Sequence, residues 1–119
     1  AFVPTEINYS ILDGETRLNS PYPFGVSHIK KAKNALNERK KPYQSCIYIN
    51  KNKKFLGYHE TSEDAHLQWQ KEKVKYFEEL VAKYHKDVKI EVIDGLKKRI
   101  DILKSDIANN RITETINKI

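Results

Sequence analysis

Between Lys30 and Lys54 the chain sets nine lysines and arginines against a single acid, Glu38, and places Tyr43, Gln44 and Tyr48 among them, with Phe55 directly after. Cations neutralise phosphates, a glutamine amide pairs with adenine, and aromatic rings pack on sugars or on a thymine methyl, so this mixture suits nucleic acid. The charge is local. From Phe55 onward there are twelve basic and twelve acidic residues, and before Lys30 only Arg17 stands against Glu6, Asp13 and Glu15, so the net charge of +6 belongs to this one stretch. A localised basic surface is what a polyanion-binding protein presents. A solvated lysine-rich loop has the same composition, and charge alone leaves both readings open.

Other chemistries find little support. His59 and Glu60 have no nucleophile at a motif spacing, and Cys46 falls in a strand pattern rather than at a helix start that would favour its thiolate. His28, His59, His66 and His85 show no ligand spacing with Cys46 or with one another, and the four glycines are too scattered to cradle a phosphate. No catalytic residue, metal site or cofactor is expected. The single cysteine forbids an intrachain disulfide and fits a reducing compartment. No run approaches the roughly 18 apolar residues of a membrane span, and the start lacks signal-peptide organisation, so a cytoplasmic protein without a membrane partner is expected.

The elements that would position these residues follow from periodicity. At 119 residues the chain suits one small domain with an appended helix. Residues 1–24, with Asp13-Gly14, Pro21 and Pro23, read as a short helix or turn leading into a connector. Gly25–Lys31 is a candidate first strand, and Ala32–Pro42 a long basic loop or single helical turn. In "YQSCIYI" the alternation puts Tyr43, Ser45, Ile47 and Ile49 on a buried face and Gln44, Cys46 and Tyr48 on the other. A turn at Asn50–Asn52 returns the chain as "KKFLGYH", in which Lys53, Phe55 and Gly57 share the face opposite to Leu56 and Tyr58.

Thr61, with Asp64 three residues on, marks a helix start as a capping box, and Glu63 and Asp64 suit the positive end of the helix dipole. Ala65, Trp69, Tyr76, Phe77, Leu80 and Tyr84 then form an apolar stripe widened by Leu67, Val74 and Val81, which assigns Trp69 to the core and His66 to packing or solvation. Ile90, Ile93, Leu96, Ile100, Leu103 and Ile107 define a second helix, with a break or kink allowed at Gly95 and an end at Asn109 and Asn110. The tail "RITETINKI" carries no strong signal. The fold expected is α+β: a three-stranded antiparallel sheet on a long amphipathic helix, with an additional C-terminal helix. Residues 25–85 form the sheet-and-helix domain and residues 86–119 the C-terminal helix and tail.

The segments "PFGVS", "YQSCIYINKNKKFLGYHETSEDAHLQWQKEK" and "GLKKRI" resemble the Apetala-two-type DNA-binding domain, known from plant ethylene-response factors and from phage-borne HNH homing endonucleases. The matching positions are Gly25-Val26, Asn50-Lys51, Leu56-Gly57, Thr61 and Glu63-Asp64-Ala65, with Ala65–Trp69 and Ile90–Ile107 similar to the helices of the phage branch. The resemblance implies that the open sheet face docks in the major groove of double-stranded DNA. Phe55 then occupies the place of a DNA-contacting aromatic, and Ser27 stands where the family has a contacting arginine. His59 replaces a usual aromatic, and the loop is longer than the family's, its basic charge compensating through phosphate contacts. "AFVPTEIN" is similar to the segment that closes a degenerate HNH-like nuclease region in one group of these phage proteins. That similarity implies a nuclease region upstream of Ala1 and leaves Asn8 as a remnant of its helix.

The DNA-binding residues expected are therefore Ser27, Lys30, Lys31, Lys33, Arg39, Lys40, Lys41, Gln44, Tyr48, Lys51, Lys53, Lys54 and Phe55, acting in the cytoplasm of a bacteriophage's host. The alternative is a phage protein-interaction module that engages a host factor or a second copy, using the Ile90 to Ile107 helix as its partner face, with disruption of Ile100 and Leu103 as the discriminator.

Overall fold

The structure, a computed structural model, describes residues 22–29, 40–49 and 52–113. It is an α+β arrangement. Strands β1 (Val26–His28), β2 (Tyr43–Ile49) and β3 (Asn52–His59) form an antiparallel sheet in the order β1-β2-β3, followed by helices α1 (Ser62–Tyr84) and α2 (Ile90–Ala108). The expectations for residues 1–21, for the loop to Arg39, for the tip of the second hairpin and for the last six residues lie outside the described residues.

The chain enters the sheet through a tight turn. Val26 N–H donates to the Pro23 carbonyl at 3.2 Å, and Gly25 takes φ +79°, the conformation a type II turn requires at its third residue. Helix α1 packs on this turn through Trp69. A Cβ on Gly25 would lie 2.3 Å from Trp69 Cδ1, so the indole rests directly on bare backbone. Phe24 tilts against the same ring at 5.7 Å between centroids, and His66 stacks on it at 5.3 Å. Ser45, fully buried beneath α1, donates its hydroxyl to the Ala65 carbonyl at 2.7 Å, which ties β2 to the first turn of the helix. At that start the Thr61 side chain accepts from the Asp64 amide at 3.1 Å.

One core runs through sheet and both helices: Phe24, Ile47, Trp69, Phe77 and Leu80 continue into Leu96, Ile100 and Leu103. The apolar face of α2 is therefore occupied within the chain: Ile93, Leu96, Ile100 and Leu103 are core residues. Gly95 does not break α2, which is continuous, because the packing of Ile93, Leu96 and Ile100 outweighs a helix-propensity cost of about 1 kcal/mol. Lys73 is also fully enclosed in α1, with Nζ 5.2 Å from the Phe77 ring centroid and 5.8 Å from that of Trp69.

Helix α2 ends at Asn109-Asn110. Asn110 adopts φ +53°, Asn110 N–H donates to Ile107 O, and Arg111 N–H reaches back to Asp106 O at 2.8 Å, a Schellman closure. This turn directs residues 111–113 across α1. The Thr113 amide donates to His66 Nε2 at 2.9 Å, and the opposite ring nitrogen, Nδ1–H, donates to Phe24 O at 2.9 Å. Gln70 Nε2 donates to Arg111 O and to Thr113 Oγ1, which in turn donates to Asp106 Oδ2 at 2.7 Å. His66, expected only to pack or be solvated, thus holds the entry turn and the exit segment on opposite sides of one ring.

The two partners fix the neutral ring as the Nδ1–H form. Burial pushes the imidazole below its ordinary value of 6.5, outweighing the Phe24 carbonyl and the charge of Asp106, which act in the other direction. Above 6.5 the ring is neutral folded or unfolded; below it the unfolded chain takes up a proton that the folded chain refuses until its own, lower value is reached. Stability should therefore fall with pH beneath 6.5, by at most about 1.4 kcal/mol per pH unit from this group. Urea unfolding of the chain and of His66→Gln across that range checks this: the variant should lose the His66 share of the slope, and identical slopes would refute it. Gly25→Ala should cost about 2–4 kcal/mol in the same assay, from overpacking against Trp69 plus a positive φ.

Candidate nucleic-acid interface

The register decides which side chains face away from α1. Paired residues share a face, so Ser27–Gln44–Tyr58 form one row on the open side, Cys46–Phe55 the next and Tyr48–Lys53 the third. Val26–Ser45–Gly57 and Ile47–Lys54 face the helix layer. The step from the Ser45–Gly57 pair to the Cys46–Phe55 pair advances one residue on β2 and two on β3, which leaves Leu56 as the extra residue of a β-bulge. Gly57 follows it with φ +112°, a conformation outside the reach of ordinary side chains.

The bulge overturns the strict alternation expected for β3. Tyr58, expected on the face of Leu56, stands on the open face, and Gly57, expected there, lies opposite buried Ser45. Period-two reading fails because one inserted residue reverses every side chain beyond it. Leu56 instead packs against the core. Phe55 and Tyr58 become neighbours, ring centroids 5.0 Å apart and nearly edge to face at 63°. Phe55 is 51% exposed, Tyr58 47% and Tyr48 41%, so three large rings line a surface that the helices leave open.

The polar members are placed as follows. Gln44 and Ser27 are half-buried in the row of Tyr58, and no side-chain hydrogen bond of Gln44 forms among the described residues. Lys53 is exposed beside Tyr48, and Lys40 and Lys41 are exposed just before β2. Lys54, expected as a DNA-binding residue, pairs with Ile47 on the helix side, and its Nζ lies 3.4 Å from Glu72 of α1. Lys30, Lys31, Lys33, Arg39 and Lys51 lie outside the described residues. Cys46 faces the open side yet is buried, between the Phe55 strand and the Gly25 carbonyl that accepts its amide at 2.9 Å.

The open face carries no acid among Ser27, Gln44, Cys46, Tyr48, Lys53, Phe55 and Tyr58. Tyr58 is the residue that sequence reasoning missed, and the Leu56-Gly57 pair was the available signal, since a glycine inside a strand pattern often marks a bulge. Among the described residues no cluster of three or more metal-ligating side chains occurs, and no helix is long and apolar enough to cross a membrane. No protein-family model, curated protein or solved structure matches the chain.

Gly57→Ala tests the bulge. A Cβ there would have room, its nearest neighbour being His59 Nε2 at 3.7 Å, so any cost is conformational. The substitution should destabilise the chain by about 1–3 kcal/mol in urea unfolding, and an unchanged midpoint would refute the strain.

Proposed function

We propose that the chain binds double-stranded DNA, presenting the open face of its sheet to the major groove, as the DNA-binding part of a phage HNH endonuclease-like protein. What carries the reading is the exposed trio Tyr48, Phe55 and Tyr58 beside Gln44 and Lys53 on a face that neither helix covers. A monomeric domain gains nothing from leaving three rings in water, whereas a groove buries them. Scale supports this: three strands about 4.8 Å apart place the outer backbones about 10 Å from each other, comparable with a major groove about 12 Å wide.

The basic stretch supplies the remainder. Exposed Lys40 and Lys41, just before β2, supply phosphate contacts, which fix orientation without reading bases. Lys54, held by Glu72, contributes less than Lys53 because its charge already has a partner. The same resemblance that suggests a nuclease parent assigns the chemistry to a region outside this chain.

Fluorescence-anisotropy titration of a duplex at increasing salt tests the reading. Five or six neutralised phosphates give a log–log slope of roughly −4 to −6. Lys53→Ala should flatten the slope by about 1 and Lys54→Ala by less than half of that. Absence of duplex binding at low salt would sink the proposal.

A further inference from the structure

The Leu56 bulge assembles a combination that three separate side chains would not make: Phe55 and Tyr58 in edge contact, with Tyr58 directly opposite Gln44 and Gln44 opposite Ser27. From this juxtaposition we propose that Gln44 and the Phe55–Tyr58 pair read A·T base pairs, Gln44 engaging adenine and the two rings enclosing the thymine 5-methyl group. The inference rests on the duplex-DNA reading above and adds which bases the face selects.

Complementarity decides the base type. In the major groove guanine offers two acceptors, cytosine a donor, adenine an acceptor beside a donor, and thymine an acceptor with the groove's one apolar group. Reading guanine calls for a cation, and among the described residues of the three rows the only one is Lys53, in the row farthest from Gln44. Reading cytosine calls for a carboxylate, and the described residues of the three rows include none. An amide, which both donates and accepts, matches adenine N6 and N7. The apolar ring surfaces of Phe55 and Tyr58 match a methyl, the one apolar group in the groove.

Spacing then sets the layout. Cross-strand neighbours stand about 5 Å apart, so the adenine under Gln44 and the methyl under Tyr58 belong to the same or to adjacent base pairs. Rows along a strand are separated by two residues, about 6.7 Å, and base pairs stack about 3.4 Å apart, so each row advances about two base pairs. The three rows span a core of about five base pairs, with the A·T reader at one end and Lys53 at the other.

The test uses the full chain. Selection from a random duplex library should return a core of about five base pairs that is A·T-rich at one end. In the selected duplex, uracil in place of the contacted thymine removes only the methyl and should weaken binding about fourfold, the worth of one buried methyl group. Phe55→Ala and Tyr58→Ala, both at exposed positions and checked for folding by thermal melting, should bind the thymine and uracil duplexes equally. 7-Deazaadenine under Gln44 should weaken the native chain by roughly tenfold and leave Gln44→Ala unaffected. Duplex binding with a G·C core, or native binding indifferent to the thymine-to-uracil exchange, overturns this inference and leaves the duplex reading standing. Failure to bind any duplex, or preference for single strands over every duplex, overturns both.

Discussion

The fold turns on how closely Trp69 approaches the backbone at Gly25. The indole is seated on a type II turn whose third residue must be glycine twice over, for its positive φ and for the 2.3 Å that a Cβ would leave to the ring. That contact fixes the height and angle at which α1 lies on the sheet. Phe24 and His66 pack against the same ring, Ser45 is bonded to the first turn of the helix, and Lys73 sits beneath the indole one turn further along. A small domain with a thin core relies on such a large, oriented side chain, because aromatic residues bury more area than any aliphatic one and dominate core energetics.

With one face of the sheet committed to Trp69, Phe77 and Ile47, the other is left uncovered by the helices, and the division between them is made by register rather than by composition. The inserted Leu56 keeps a leucine in the core and transfers Tyr58 to the outside, next to Phe55 and opposite Gln44. Were Leu56 paired in turn instead of bulged, Tyr58 would fall opposite Tyr43 on the α1 side and the open surface would hold one ring fewer. Glycine after the bulge is the backbone requirement that makes the transfer possible.

The C-terminal segment is bound to the same centre. Helix α2 spends its apolar stripe on α1, and its Schellman end aims Thr113 at His66, whose other nitrogen holds the Phe24 carbonyl in the turn beneath Trp69. One neutral imidazole therefore couples the entrance to the sheet with the exit from the last helix. Ile90 remains 62% exposed at the start of α2, but Ile93, Leu96, Ile100 and Leu103 are not available to a partner.

By itself the sequence determined the elements: the alternation of Tyr43–Ile49, the Thr61 cap, the stripe around Trp69 and Phe77, the second helix to Asn109, and the sorting of Gln44, Tyr48, Lys53 and Phe55 to one face. Each is a local signal, a period or a cap, that a short window contains. Only the tertiary structure decided that Tyr58 joins them, that Lys54 turns toward Glu72, that Ile100 and Leu103 are used internally, and that residues 111–113, which carry no sequence signal, close on His66. These depend on pairings between residues distant in the chain: Gly57 with Ser45, Lys54 with Glu72 and Thr113 with His66. A bulge costs one residue of register that no periodicity reports, and a buried histidine shows its role only when both of its ring nitrogens have found their partners.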